Sequence, residues 1–176
     1  MHSDARSLPD GTHLKSDLCV VGAGAAGITI AKEFADTKFD VTLLESGGFT
    51  REPAVQSLYE GTNTGLPYFT LQQARLRYFG GTTNHWSGLC APLDPIGFED
   101  RDWVPESGWP LSLNELDPFY RRAHPVCDLG AFNYDLDYWK KQSDDFSSLL
   151  FEGPAIETKL CKWSAPTRFG DQYRSV

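Results

Sequence analysis

The chain has 176 residues, 40% of them hydrophobic, and its formal net charge at neutral pH is −8. This length is enough for one domain with a sizeable core. The excess of acidic residues argues against nucleic acid or an anionic membrane as a partner. No apolar run approaches the roughly 20 residues that a membrane span needs, and the polar N-terminus carries no apolar signal segment.

The cysteines are widely spaced and form no Cys-x-x-Cys pair: Cys19, Cys90, Cys127 and Cys161. Neither they nor the isolated histidines have the spacing of a zinc site, so we predict no metal. Reduced thiols are typical of the cytoplasm, which is the predicted localisation. Because Cys19 lies within an apolar run, we expect its side chain to be buried.

Residues 17–48, DLCVVGAGAAGITIAKEFADTKFDVTLLESGG, follow a strand–helix–strand pattern. Leu18–Val21 is apolar, rich in β-branched residues and ends at a glycine, which predicts a buried strand. A helix follows from Ala25, and its apolar residues recur every four positions on one face: Ala26, Ile30 and Phe34. Val41–Leu44 is a second apolar run. Two strands joined by a crossover helix predict a parallel βαβ unit.

The periodicity fades beyond residue 50. Residues 51–74 are predicted to be mostly loop, with a short helix over 54–59. Residues 92–110 hold four prolines and several aromatic residues, which indicates a long loop held in place by packing.

A second helical region begins at the spacing of a capping box, Ser112 with Glu115. Asp117 and Pro118 then offer a second N-cap and first-turn proline. We predict a short helical turn followed by a helix over 118–126. Residues 135–151 are predicted to be partly helical.

The sequence GAGAAG places three glycines, Gly22, Gly24 and Gly27, between the first strand and the helix. In a dinucleotide fold the first permits a tight turn, the second lets a pyrophosphate approach the backbone, and the third lets the helix pack on the strand. The N-terminus of the helix adds free N–H groups and partial positive charge. A purely structural turn is the alternative interpretation.

Glu45 ends the second strand 18 residues after Gly27, where the adenosine ribose would present its hydroxyls. A 2′-phosphate would be repelled there, which disfavours NADP. The pattern does not separate FAD from NAD, since both carry an ADP half. The residues predicted to bind that half are Gly22, Gly24, Ala25, Ala26, Gly27, Glu45 and Ser46.

Residues 79–88, FGGTTNHWSG, combine adjacent glycines with hydroxyl, amide, imidazole and indole groups. Together with ESGG after the second strand, SGWPLSLNELDPFYRRA at 107–123 and WSAPTRFGDQYR at 163–174, this segment resembles the glucose–methanol–choline (GMC) oxidoreductases. The similar branch contains pyranose oxidases, bacterial glycoside 3-oxidases and the large subunits of fructose and gluconate dehydrogenases. The resemblance runs from Asp17 to the last residue.

The resemblance implies an α/β fold with a Rossmann-like FAD-binding βαβ domain, the N-terminal part of a GMC fold that is incomplete within these residues. It implies FAD as the cofactor, with the flavin ring beside Gly80, Gly81, Thr82, Thr83, Asn84, His85 and Trp86. His85, followed by Trp86, matches the position that carries a covalent bond to the flavin 8α-methyl in the pyranose-oxidase-like branch. The alternative is that His85 contacts the ring without a bond.

Three segments follow from this interpretation. Residues 1–16 are an N-terminal arm, residues 17–106 are the N-terminal part of the FAD-binding domain with the flavin-attachment loop, and residues 107–176 are helical and loop segments that lead into the remainder. In the family the catalytic base is a histidine near the C-terminal end, so we expect no catalytic residue here and no activity from this piece alone.

The predicted activity of the parent protein is oxidation of a CH–OH group of a sugar, glycoside or related alcohol by hydride transfer to flavin, with an electron acceptor that the sequence does not identify. One alternative is an NAD-dependent dehydrogenase module, which leaves residues 79–88 without a purpose. The other is a non-catalytic truncated remnant.

Overall fold

A computed structural model describes residues 2–143, 156–165 and 168–175 of the chain. The chain divides into two compact units, the first made of Met1–Trp86 and Thr167–Val176, the second of Ser87–Pro166. The three segments predicted from the sequence, residues 1–16, 17–106 and 107–176, stay predictions.

The described residues form short β-strands and α-helices. The strands are β1 Leu18–Val21, β2 Val41–Leu44, β3 Leu89–Cys90 and β4 Lys162–Trp163. The helices are α1 Ala25–Phe34, α2 Pro53–Gln56, α3 Leu71–Ala74, α4 Leu113–Val126, α5 Leu136–Lys140 and α6 Phe169–Gln172. Among these helices none has the length and apolar character needed to cross a bilayer.

The first unit is built on β1, α1 and β2, whose bounds agree with the predicted strand–helix–strand pattern. The two strands pair in parallel, from Leu18 beside Val41 to Val21 beside Leu44. At the end of β1 the Gly22 N–H donates to the Leu44 carbonyl at 2.7 Å. The predicted parallel βαβ unit is therefore present.

Helix α1 lies close to the chain that leads into it. A Cβ atom on Gly27 would overlap the carbonyl oxygen of Gly22. Gly22 itself has φ +97°, a left-handed conformation that favours glycine. The first and third glycines are therefore required by the turn and by the packing of the helix on β1, as predicted.

The sheet buries less than the sequence suggests. In β1 the Val20 side chain is buried, whereas Val21 is 81% exposed and Cys19 is exposed. The prediction that Cys19 is buried is wrong because side chains alternate along a strand, and only the face shared by Leu18 and Val20 is covered to any extent.

The apolar stripe of Ala26, Ile30 and Phe34 is not the buried face of α1. Its buried residues are Gly27 and Ile28, whereas Ala26 is exposed and Ile30 is 46% exposed. The close approach at Gly27 determines which side of the helix meets the strand. Phe34 instead makes an edge contact with Phe39, at 5.8 Å between ring centroids.

The rest of the first unit consists of short elements. The helix predicted over 54–59 is present as α2 followed by a 3₁₀ turn at Ser57–Tyr59. Helix α3 interrupts the predicted loop. A second 3₁₀ turn, Gly81–Asn84, lies in the segment predicted to face the flavin.

The second unit contains the short antiparallel pair of β3 and β4 and the helices α4 and α5. His124 of α4 is buried, with its ring nitrogens 3.0 Å from the Gly130 carbonyl and 3.1 Å from the Tyr134 hydroxyl. These contacts and the T-shaped packing on Phe132 give His124 a structural role. Part of the helix predicted over 135–151 is present as α5, and its remainder from 144 onward lies outside the described residues.

The predicted capping box at the start of α4 is confirmed. The Ser112 Oγ accepts from the Glu115 N–H, and the Glu115 carboxylate accepts from the Ser112 N–H at 2.7 Å. The prediction of a break before Pro118 is wrong, because α4 runs unbroken from Leu113 through that proline. The capping box stabilises the N-terminus of α4, and the helix continues although Pro118 lacks a backbone donor.

Replacing Gly27 with alanine is expected to lower the free energy of unfolding by about 3 kcal/mol, because the added methyl group overlaps the Gly22 carbonyl. Urea unfolding followed by circular dichroism measures the change. Gly61→Ala is the control, since a Cβ there meets nothing within 4 Å. Equal stability of the two variants would contradict the close packing of α1.

Ser112→Ala is expected to raise the pKa of the Glu115 carboxyl, which hydrogen bonds from the Ser112 backbone N–H and hydroxyl hold below its usual range. Because folding lowers this pKa, the stabilisation is present above the unfolded-state pKa and is lost as pH falls through the folded-state value. An NMR titration of the Glu115 carboxyl carbon gives the pKa. Ser57→Ala should leave it unchanged.

Candidate functional site

Two glycine-rich segments that are far apart in sequence meet in the first unit. The Gly80 N–H donates to the Ala23 carbonyl at 2.8 Å. A Cβ on Gly81 would lie 3.1 Å from the Gly24 Cα. The structure therefore brings the glycine box of residues 22–27 into backbone contact with the predicted flavin-facing segment of residues 79–86.

A third segment joins them from the end of β2. The Phe79 N–H donates to the Gly48 carbonyl at 2.9 Å. A Cβ on Gly47 would crowd the Tyr78 Cα at 2.8 Å. The ESGG sequence after β2, which contributes to the family resemblance, thus lies directly against the start of the flavin-facing segment.

Gly24 differs from the other two glycines of the box. Its φ is −81°, which any residue adopts, and a Cβ there would meet no atom within 4 Å. The packing of the chain itself therefore does not require glycine at this position. Gly24 is the N-cap of α1 and forms no side-chain cap, so it provides no side-chain acceptor for the first-turn N–H groups of the helix.

Glu45 bridges β2 and the glycine box. Its Oε2 accepts from the Ala23 N–H at 2.8 Å, and its Oε1 accepts from the Ser46 N–H at 2.8 Å. The Ser46 hydroxyl and the Gly47 N–H are further donors to Oε1, at 3.1 and 3.2 Å. A carboxylate oxygen has more than one acceptor site, so Oε2 can accept a second hydrogen bond.

The remaining residues predicted around the ADP half follow directly from α1. Ala25 and Ala26 form its first turn, and Ala26 is exposed. Ser46 is exposed at the end of β2. The structure thus places all seven predicted residues around one strand-to-helix turn and the neighbouring strand end.

The polar side chains of the flavin-facing segment bond to the chain itself. The Thr82 Oγ1 accepts from the Leu76 N–H at 3.3 Å, and the Thr83 hydroxyl donates to the Gly80 carbonyl at 2.5 Å. These contacts hold the loop in place. The predicted contact of Thr82 and Thr83 with a cofactor stays a prediction.

Asn84 uses both ends of its amide within the protein. Its Nδ2 donates to the Phe79 carbonyl at 2.9 Å, and its Oδ1 accepts from the Gly170 N–H at 3.2 Å. The side chain therefore links the two ends of the glycine turn with α6.

His85 and Trp86 leave the turn in different environments. His85 is exposed, and its N–H donates to the Thr82 carbonyl at 3.2 Å. Trp86 is half-buried and packs edge-on against Phe169, with ring centroids 6.4 Å apart. The imidazole is thus accessible to a bound group, while the indole packs against the protein.

A cavity of about 240 Å³ adjoins this loop. It is lined by Phe49, Thr50, Arg51, Tyr78, Phe79, Asn84, Gly170 and Asp171. This volume is below the range usual for a site that holds a drug-sized ligand. No functional role was predicted for the stretch after ESGG, although Phe49, Thr50 and Arg51 line this cavity.

Gln56 also has a structural role that was not predicted from the sequence. Its side chain is buried, and its Nε2 donates to the carbonyls of Gln72 and Arg75 at 2.9 and 2.6 Å. Its Oε1 accepts from the Arg77 N–H at 3.1 Å. This amide holds the chain that leads into the glycine pair, and no local pattern in α2 signals such a role.

Within residues 2–143, 156–165 and 168–175, no group of three or more His, Cys, Asp or Glu side chains is arranged to hold a metal ion. The polar groups gathered at the meeting point of the glycine box and the flavin-facing segment are backbone N–H groups, one carboxylate, hydroxyls and amides. Such a set suits a ligand that carries phosphate and hydroxyl groups.

Comparison with known proteins finds similarity to oxidoreductases. The 6'''-hydroxyparomomycin C oxidase of Streptomyces lividus is 30% identical over an alignment of 123 residues, which covers 59% of this chain and 21% of the oxidase. The gluconate 2-dehydrogenase flavoprotein of Pantoea cypripedii is 27% identical over 158 residues, covering 64% of this chain and 25% of that protein. The chain spans about a quarter or less of the length of these relatives.

No family model and no solved structure matches the chain. Both relatives are oxidoreductases by name, and the second is a flavoprotein. At this identity the similarity supports the general kind of protein, a flavin oxidoreductase.

Glu45→Ala is expected to lower the free energy of unfolding by about 1–2 kcal/mol, because the partly buried N–H of Ala23 loses its acceptor. Glu60→Ala, at an exposed position, is the control. Thermal unfolding of both variants gives the comparison. A Glu45→Ala variant as stable as the control would show that the carboxylate does not hold the glycine box.

Proposed function

We propose that the protein is an FAD-dependent oxidoreductase of the GMC type that oxidises a CH–OH group of a sugar, glycoside or related alcohol. The observation that carries the proposal is the backbone contact between the glycine box and the segment FGGTTNHW, formed by Gly80 and Ala23. An NAD-binding module requires only the first of these segments. A protein that places a flavin ring beside an ADP site requires both.

The ADP half of the cofactor would lie at the N-terminus of α1. The open space at Gly24 admits a pyrophosphate close to the backbone, and the first-turn N–H groups of α1 would donate to its oxygens. The free acceptor site on the Glu45 Oε2 would accept from a ribose hydroxyl. The residues present therefore fit this half of FAD.

The flavin end would lie along Gly80–Trp86. Gly80 and Gly81 have φ values of +93° and +56°, left-handed conformations that favour glycine, and both are buried at the turn. Backbone N–H groups in this loop would stabilise negative charge on the reduced ring, in the manner of an oxyanion hole. His85, exposed at the end of the turn, would be the residue that bonds to the flavin.

When bound, the flavin would supply the hydride acceptor for alcohol oxidation. The residues of this chain would hold the cofactor and exclude other orientations of it. The group that removes the hydroxyl proton is proposed to lie outside these 176 residues. The gluconate and hydroxyparomomycin names of the two relatives are in keeping with an alcohol or sugar substrate.

The full-length protein is expected to purify with the visible absorption of oxidised flavin, and Gly24→Ala is expected to lose most of it while remaining folded, because the methyl group fills only the ligand space. Absorption spectra and thermal unfolding test both statements. Gly61→Ala is the matched control and should retain the flavin.

Acid precipitation of the same protein tests the covalent bond. Yellow colour is expected to stay in the pellet of the wild type and to move to the supernatant for His85→Ala. Colour in both supernatants would refute only the bond. A colourless wild type that binds NADH tightly would favour the NAD module, and one that binds no nucleotide would favour the non-catalytic alternative.

A further inference from the structure

The amide of Asn84 joins three backbone positions in the first unit. It donates to the Phe79 carbonyl, which precedes the glycine pair, and accepts from the Gly170 N–H in α6. The opposite amide orientation would place its nitrogen against an N–H and its oxygen against a carbonyl, so the hydrogen-bond partners determine the orientation. Both the Nδ2 and the Oδ1 of Asn84 are therefore hydrogen-bonded within the protein.

The glycines on either side of this amide pack too closely for any side chain. A Cβ on Gly80 would overlap the Gly170 backbone nitrogen. A Cβ on Gly170 would lie 2.5 Å from the Phe79 carbonyl oxygen and 2.7 Å from the Asn84 Oδ1. The turn at Gly80 and the start of α6 are therefore interlocked, with the Asn84 amide between them.

The α6 segment is itself held firmly within the first unit. The Phe169 ring is 1% exposed and Tyr173 is buried, with the Lys32 ammonium of α1 lying 3.7 Å from the Tyr173 ring centroid. The Arg168 Nη1 donates to the Trp86 carbonyl at 2.9 Å. Thus α6 is fastened both to the helix that follows the glycine box and to the residue after His85.

We propose that Asn84 is a positioning residue for the flavin, an inference that rests on the proposed function. Its amide ties the glycine turn to α6 and so sets where His85 and the backbone N–H groups of the loop stand. This role differs from the expectation that the Asn84 side chain lines the cofactor. The amide acts on the cofactor through the backbone that it holds.

The geometry explains why this position needs an amide. A carboxylate of the same shape would keep the acceptor for the Gly170 N–H but would set a negative oxygen against the Phe79 carbonyl. A serine hydroxyl is too short to reach both partners. Only asparagine combines a donor, an acceptor and this reach at residue 84.

The test compares Asn84→Asp, Asn84→Ser and the wild type in the full-length protein by hydrogen exchange and by flavin reduction potential. Exchange of the Gly170 amide is expected to be about five- to tenfold faster in Asn84→Ser, which loses its acceptor, and nearly unchanged in Asn84→Asp, which keeps that acceptor and loses only the hydrogen bond to the Phe79 carbonyl. The reduction potential is expected to be lower, because a loosened loop stabilises the reduced anionic ring less well. Asn114→Asp, at an exposed position of α4, is the matched control.

Unchanged Gly170 exchange in both variants would overturn the proposal, as would faster exchange with an unchanged reduction potential. Unfolding of both variants while Asn114→Asp stays folded would indicate a role in folding alone and would also overturn it. A wild type without flavin would refute the proposed function separately. In that case the exchange rates would still decide whether the amide bridge exists.

Discussion

The close approach of backbone to backbone at glycine is the constraint on which the rest of the first unit depends. At Gly27 it allows α1 to lie against the turn after β1, and at Gly80 it allows the segment predicted to face the flavin to pack against α6. The Gly80 N–H then reaches the Ala23 carbonyl at 2.8 Å. Any side chain at the two close contacts would push apart the segments that form the site.

Polar side chains around this contact act mainly on the backbone. Glu45 holds the glycine box through the Ala23 N–H, Gln56 holds the chain before the glycine pair, and Asn84 holds the pair to α6. Each satisfies N–H or carbonyl groups that regular secondary structure leaves unpaired, which is costly to omit in a partly buried loop. Gly24 is the exception, because a Cβ there would meet no atom of the described residues within 4 Å.

Local patterns predicted the local structure well. The bounds of β1 and β2, the start of α1 and the capping box at Ser112 all follow from interactions between residues close in sequence. Burial was predicted less well, as Cys19 and the outer face of α1 show, because it depends on which segments cover each face. The unbroken passage of α4 through Pro118 shows that a strong cap can outweigh a local breaker.

For the site, the glycine spacing and the FGGTTNHW segment predict two segments that the structure brings into contact, and their role in cofactor binding stays a prediction. Glycines at turns can be predicted from the sequence, because the preference for positive φ and the absence of a Cβ are properties of the single residue. The most distant partners of Asn84 and Gln56 lie 86 and 21 positions away in the chain, so no local pattern reveals them. Those contacts arise only when folding brings α6 to the glycine turn and α2 to residues 72–77, because a hydrogen bond depends on distance in space.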